Sequence, residues 1–441
     1  MNLNKNMLAG ALTALGKLIS RTSGEVLHRS LFLNNHSGTL SLYTCSQDER
    51  FEFTCPSEEV GDFHRAVAFE DFRNAVRGGH NKDADVELKN NGVMFVNGTV
   101  VPEIKCDVPA LTPVPASALS VELPENFVTL LCHAATTASR SDPRRVLCGI
   151  HLDQTGITTT NGKELLHIPR EWNMTPVNLP LPLALINTKV KEAGKMWLWK
   201  KEDTTRFHIS VGPWSWRGKS TSGTFPDWQQ IITSKPLPYT VNFSAENALQ
   251  LQTFLKSLPE APPNNPVRLT SQSNKLAVEN GKGLQSLIPA EFSCDWKDFS
   301  VTLNKEYLLR ALLLGHQQLG FRAAREPFMA VGGVGQYTAM PLLFTSSQPV
   351  KEEKRVEHTV STAVATPVPP VEHASKNENT VTNPMDELVT AIDEFRAKLK
   401  VLSDEAAVLS RKAKEVSLAQ KQKERDFIQA KRAIERIRMA I

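Results

Sequence analysis

The strongest constraint on the fold is a long-range period. Amphipathic helix candidates begin near Lys5, Pro124 and Ser244, about 120 residues apart, and each is followed by short alternating strands and turns. In the first, Leu8, Leu12, Leu15 and Ile19 fall on one helical face, while Lys17 interrupts the apolar run and separates it from a secretory signal. A second helix candidate sits later in each unit, at 69–79, 181–194 and 303–315. Helix, strands, helix, strands is thus written three times. VMFVNGTVVPEI, 93–104, sets an Asn97-Gly98 turn between two apolar runs, a hairpin signal because both residues tolerate positive φ. The pattern predicts three two-layer α+β modules, each with its helices on one face of antiparallel sheet.

Beyond the third unit the chemistry changes. Residues 345–383 contain no Leu, Ile, Phe, Tyr or Trp and are rich in Thr, Pro, Val and charge, so they bury too little apolar surface to offset ordering entropy. A flexible linker follows, spanning roughly 35 Å as a random coil. Past Pro384 an a/d heptad repeat runs from Met385, Leu388, Ile392 and Phe395 to Ile434, Ile437 and Ile441, with Gln420 and Lys423 on its seam. Those two residues either fix register or mark a bend. Residues 385–405 carry six acids and three bases, whereas 411–441 carry four acids and ten bases, so antiparallel self-pairing matches opposite charges. If straight, this helix reaches roughly 85 Å. The divisions are 1–119, 120–236 and 237–348 for the modules, 349–383 for the linker and 384–441 for the coiled coil.

Composition excludes several classes. With 41% hydrophobic and 22% charged residues, the chain of 441 is neither a membrane bundle nor a wholly disordered or collagen-like protein. No apolar stretch of about 20 residues exists to span a bilayer, and the dispersed cysteines suit a reducing cytoplasm, the expected location. The six cysteines include no C-x-x-C pair and no cysteine/histidine cluster, so scattered buried thiols are expected, with no metal and no cofactor. Enzyme signatures are equally absent. VGGVGQ at 331–336 opens no helix, and no G-x-S-x-G elbow or H-E-x-x-H pair occurs. A net charge of +4 is too small to argue for nucleic acid unless the basic residues are segregated.

Four ordered strings carry a family resemblance. DPRRVLCGIHL (142–152) with ITTTNGKELL (157–166), GTFPDWQQII (223–232) and YTAMPLLF (337–344) resemble, in order and spacing, motifs of the bacterial DNA polymerase III beta subunit, the sliding clamp. The resemblance implies three tandem clamp repeats of α+β class, helices lining the inside and antiparallel sheets outside, closed head-to-tail as a homodimer around duplex DNA. It implies a non-catalytic processivity factor. It also implies a pocket between modules two and three that takes Q-L-x-L-F-like peptides of a polymerase or clamp loader. Carried over string by string, the pocket's apolar wall is Leu147, Leu165, Pro226, Ile231, Met340 and Leu342; Thr160, Gly162 and Pro341 shape its backbone, and Phe344 closes its rim.

A hole that slides on DNA needs a moderately basic lining that grips phosphates without reading bases. Candidates are Arg21, Arg73, Arg77, Arg140, Arg144, Lys189, Lys305 and Arg310. The bland reading is that such residues merely solvate outer helix faces, since Glu70, Asp71, Glu192 and Glu306 lie among them. The chain departs from the motifs at Asn161, Lys163 and Glu164 in the turn, and at Leu343-Phe344. A rival reading is therefore a clamp-like adaptor or inhibitor that works through a coiled-coil partner, paired within the chain, across the ring or with another protein. Gln317-Gln318-Leu319-Gly320-Phe321 mimics the peptide motif but follows a helix, so a structural role is expected for it.

Overall fold

The computed structural model describes residues 2–342 apart from 20–24, 58–60, 79–82, 89–92, 107–111, 233–236, 262, 295 and 297–298. The expected linker and coiled coil lie outside the described residues, as do Arg21 and Phe344.

Each unit is built by the same recipe. In the first, β1 (Asn2–Asn4) enters α1 (Lys5–Leu15), whose start is fixed by the Asn4 side chain accepting from the Met7 amide. A meander of β2 (Ser30–His36), β3 (Thr39–Cys45) and β4 (Glu49–Pro56) follows, and β5 (Phe63–Ala68) returns beside β2. Then α2 (Phe69–Gly78) leads to a second meander, β6 (Asp83–Leu88), β7 (Met94–Val96) and β8 (Thr99–Val101), with β6 beside β1. The predicted turn between β7 and β8 forms, with φ of 50° at Asn97 and 76° at Gly98.

The second unit runs β9 (Leu119–Leu123), α3 (Phe127–Ala135), β10 (Gly149–Asp153), β11 (Gly156–Thr160), β12 (Glu164–Pro169) and β13 (Val177–Pro180) beside β10. Its second meander is β14 (Gly194–Lys201), β15 (Thr204–Val211) and β16 (Trp214–Lys219), with β14 beside β9. The third runs β17 (Tyr239–Asn242), α4 (Ala245–Ser257, capped by Ser244), β18 (Pro266–Gln272), β19 (Lys275–Asn280), β20 (Gln285–Pro289), a two-residue β21 (Glu291–Phe292) and β22 (Ser300–Asn304) beside β18. After α5 (Lys305–Leu313) come β23 (Gln318–Phe321), β24 (Phe328–Gly333) and β25 (Gly335–Ala339). The peptide-like string is thus strand β23, with Leu319 and Phe321 fully buried.

One predicted helix is absent. Residues 181–194 form only a short 3-10 turn, Leu185–Asn187. Lys189 leaves the helical region at φ 57°, and Gly194 already opens β14, where a Cβ would meet the Ser210 carbonyl at 2.4 Å. The buried Ala184 and Leu185 supply the apolar spacing that mimics a helix.

The modules are also less self-contained than the sequence suggests, because their sheets fuse. β4 of unit one pairs with β16 of unit two, giving the eight-stranded order β5-β2-β3-β4-β16-β15-β14-β9. β12 of unit two pairs with β25 of unit three, giving β13-β10-β11-β12-β25-β24-β23-β17-β21. Both seams follow one rule: the last strand of a unit's first meander joins the last strand of the next unit's second meander. At the two ends, β8 and β20 close four-stranded sheets and, among the described residues, have no neighbour on their outer edge.

Beneath the sheets the helices supply the apolar stripe. Leu8, Leu12 and Leu15 of α1, Phe72 and Val76 of α2, Leu251 and Leu255 of α4, and Leu308 and Leu312 of α5 are all buried. Burial of each such side chain contributes roughly 1.5–3 kcal/mol. The cysteines are unpaired; Cys45 and Cys55 are buried as expected, whereas Cys294 is exposed.

Candidate functional site

A cavity of about 610 Å³ opens at the second seam, where β12 meets β25. Its floor is a small cluster separate from the main core, made by Val146, Leu147, Leu165, Phe225 and Trp228. The loop that supplies Phe225 and Trp228 has little backbone pairing and is held by stacking. Phe225 lies on His151 of β10 at 4.6 Å between centroids, and Trp228 on His167 of β12 at 4.1 Å. His167 is fixed in turn by the Thr158 hydroxyl at 3.0 Å.

The turn between β11 and β12 shapes one wall. The Asn161 carboxamide oxygen accepts from the amides of Lys163 and Glu164, and the Thr160 hydroxyl donates to the Glu164 carbonyl at 2.6 Å. Gly162 supplies the φ of 84° that closes the turn, leaving its α-carbon open to the cavity. Across the gap stand Pro327, Met329, Ala339 and Met340. The Met340 amide donates to the Lys163 carbonyl at 2.9 Å, which ties the two walls together. Arg144, Lys163, Arg322 and Glu326 supply charge at the margin.

Of the sequence candidates, Leu147, Thr160, Gly162, Leu165, Pro226, Ile231 and Met340 line this cavity. Pro341 is buried outside the lining. Leu342 is also outside the lining, its amide donating to the Thr302 carbonyl on β22 at 2.8 Å. Trp228, Leu237, Pro327 and Met329 line the cavity without having been singled out. Trp228 stood inside one of the family-like strings and was legible there as a large apolar side chain.

Glu164 has a distinct role. Its carboxylate is buried and accepts from Asn161 Nδ2 at 2.7 Å, from the Tyr337 hydroxyl of β25 and from the Arg310 guanidinium of α5. Burial pushes the Glu164 carboxyl above its usual range, while Arg310 and Tyr337 oppose that rise. The acid that departs from the family string therefore clamps unit two to unit three.

The basic candidates scatter. Lys305 is buried, its ammonium donating to the Leu258 carbonyl at 3.2 Å, so it cannot line an exposed surface. Arg310 is taken by Glu164, Arg73 pairs with Glu70, and Arg144 chelates Asp142 at the cavity margin. Arg77, Arg140 and Lys189 are exposed, at the end of α2, in the loop after α3 and beyond the 3-10 turn. The described helix faces are not basic overall. α3 exposes no charged side chain, and Glu306 is the exposed charge of α5.

No protein-family profile matches the chain, and no curated protein matches it. Solved structures do. The DNA polymerase sliding clamp of Bacillus subtilis superposes with a TM-score of 0.66 at 14% identity, covering 78% of this chain and 98% of that one. A sliding clamp of Pseudomonas aeruginosa bound to griselimycin gives 0.66 at 15% identity, over 78% and 99%. The beta subunit from DNA polymerase of Streptococcus pyogenes gives 0.64 at 16%, over 77% and 99%. The described body thus has the sliding-clamp fold, α+β in three tandem repeats.

Proposed function

We propose that the chain is a DNA sliding clamp: a non-catalytic processivity factor that closes head-to-tail as a homodimeric ring around duplex DNA in the cytoplasm. The observation that carries this reading is the seam rule. It joins β4 to β16 and β12 to β25, and its next application joins β20 of one copy to β8 of another. Both edges are short, and each exposes an apolar side chain beside polar ones: Val100 at 54% next to Thr99 on β8, and Leu287 at 40% on the strand that Gln285 opens, β20. Open strand edges of this kind invite pairing, and a heterologous contact of identical chains closes when the rotation allows.

The seam cavity then tethers a polymerase, clamp loader or other DNA-processing protein through a Q-L-x-L-F-like peptide. Its apolar floor takes two or three side chains, contributing roughly 3–9 kcal/mol before ordering costs. Micromolar, exchangeable binding is the expected result. DNA contact in this reading rests on Arg77, Arg140 and Lys189 together with Lys17 and Lys256, exposed cations near helix ends. So few contacts give weak, sequence-independent attraction, as sliding requires.

The test is loading onto a nicked circular plasmid, followed by linearisation. A ring stays on the circle and leaves the linear form through its ends. Equal retention on both refutes encirclement.

A further inference from the structure

The face of the eight-stranded sheet turned away from the helices carries a surface that neither the seam cavity nor the ring uses. Strand β14 places Lys195, Trp197 and Trp199 at alternate positions on this face, so the two indoles stand about 7 Å apart along the strand. The register extends the row. Trp197 lies opposite His208 on β15, His208 opposite Arg217 on β16, and Arg217 opposite Arg50 on β4. Trp199 lies opposite Arg206. Trp197 and His208 stack at 4.8 Å and 19°, and the Lys195 ammonium stands 5.9 Å from the Trp197 ring centroid, which fixes this indole at the head of the row.

The cations here are unevenly satisfied. Arg50 pairs with Glu52 at 3.0 Å, Lys195 with Glu122 at 2.9 Å and Lys219 with Asp48 at 2.7 Å. Among the described residues neither Arg206 nor Arg217 has a carboxylate at ion-pair distance, and the Nε of each, like that of Arg50, is buried without a hydrogen-bond partner. The Nε1 of Trp199 is likewise unpartnered. Burial pulls Arg217 below the usual guanidinium range; the nearby Glu52 carboxylate opposes that pull and Arg50 adds to it. Arg217 stands opposite Arg50, and Glu52, the carboxylate that acts on it, is already paired with Arg50, so the cluster carries excess positive charge. An anionic ligand laid across the sheet relieves it.

We propose that this sheet face binds single-stranded nucleic acid, with bases stacking on Trp197 and Trp199 and backbone phosphates held by Arg206 and Arg217. The chemistry favours a single strand over the alternatives. A duplex keeps its base faces stacked inside, and an acidic peptide uses the guanidinium groups but has no flat rings for two indoles. Alternating aromatic positions on an antiparallel sheet with flanking bases suit splayed bases of any sequence, because every base has a π face. The proposal is independent of ring closure.

The experiment uses the full chain and a fluorescein-labelled oligo-dT of about 12 nucleotides, read by anisotropy, with a hairpin duplex and poly-glutamate as competitors. Binding is expected to weaken with salt at a slope near that of two phosphates, about −1.4 in log–log terms. Arg206→Gln/Arg217→Gln is expected to flatten that slope and weaken binding at least about tenfold. Trp199→Ala is expected to weaken it about 5- to 150-fold, while Trp199→Phe, which keeps a ring on the sheet, stays close to wild type. Far-ultraviolet circular dichroism confirms that the variants fold. The proposal is overturned if the folded variants bind oligo-dT like the parent, if the duplex competes as well as the single strand, or if poly-glutamate displaces the probe with no effect of Trp199→Ala.

Discussion

Replacing Arg310 by Met tests whether the second seam depends on a buried ion pair. The Arg310 side chain is 27% exposed and its partner Glu164 only 1%, so the substitution leaves an acid without a counter-charge in a place water barely reaches. Breaking a buried pair on one side costs about 3–5 kcal/mol. At about 2 °C per kcal/mol for a body this large, the melting temperature is expected to fall roughly 6–10 °C at pH 8. Arg310→Met/Glu164→Gln removes the stranded charge and keeps one carbonyl oxygen as acceptor for Tyr337 or Asn161, so part of the loss returns. The pH dependence has a definite sign. The Glu164 carboxyl already sits above its ordinary range through burial, and losing Arg310 raises it further. A raised folded-state acid contributes stability at low pH that disappears as pH rises through the folded value, so the defect is smaller at pH 5.5 than at pH 8. Thermal unfolding of the three proteins at both pH values decides it. A loss under about 1 kcal/mol at pH 8, or an equal loss at both, refutes the argument.

Three further outcomes follow from the same geometry. Met340 is 43% exposed at the cavity, so Met340→Ala is expected to weaken a fluorescent Q-L-x-L-F peptide roughly tenfold while shifting the melting temperature little, as measured by polarisation and calorimetry. Val100→Glu and Leu287→Lys each place a charge in the proposed β8–β20 junction, so each alone should sediment as a monomer, and the double variant should recover the dimer. Glu49 is pushed up to about 7, mainly by burial, so wild type loses stability as pH rises from about 5 to 8. Glu49→Gln is expected to flatten that loss, worth roughly 1–2 kcal/mol after allowance for partial solvent access, in urea titrations across the range.

The helices that the sequence displays most plainly are those with a local reason to form. α1 and α4 carry Asn4 and Ser244 caps and full apolar stripes, and both begin where the pattern places them. The hairpin at Asn97-Gly98 is equally local. What period and composition cannot show is partnership across long separation. Arg310 reads as one more exposed helix cation until Glu164, 146 residues away, is folded against it. Lys305 reads the same way until the Leu258 carbonyl claims it. Sheet fusion is invisible for a similar reason, since strand edges pair through backbone groups that every residue carries. The cavity was more legible than the basic surface, because apolar strings keep their order while charges are redistributed by pairing.

The two seams share a device that explains their different chemistry. Glu49 opens β4 and faces Gly218, while Phe51 faces Trp216; Glu164 opens β12 and faces Ala339, while Leu166 faces Tyr337. In each seam a buried carboxyl at the first position bonds the aromatic donor two residues along the neighbouring strand, Trp216 or Tyr337. The second helix of unit three supplies Arg310 to the Glu164 seam. The corresponding segment of unit two is the missing helix, and its Leu181–Ala184 stretch meets Glu49 with apolar side chains around a 200 Å³ cavity. Among the described residues no arginine stands there in place of Arg310, Lys17 lines the same cavity, and burial pushes the carboxyl of Glu49 up. In the proposed seam between copies the first position of β20 is Gln285, a neutral amide that approaches a partner without a charge to desolvate. Gln285→Glu puts the acid back into a seam that forms by association. Dimer affinity in sedimentation is then expected to fall about tenfold above pH 7 and to recover near pH 5, and an affinity unchanged across that range would sink the equivalence of the three seams.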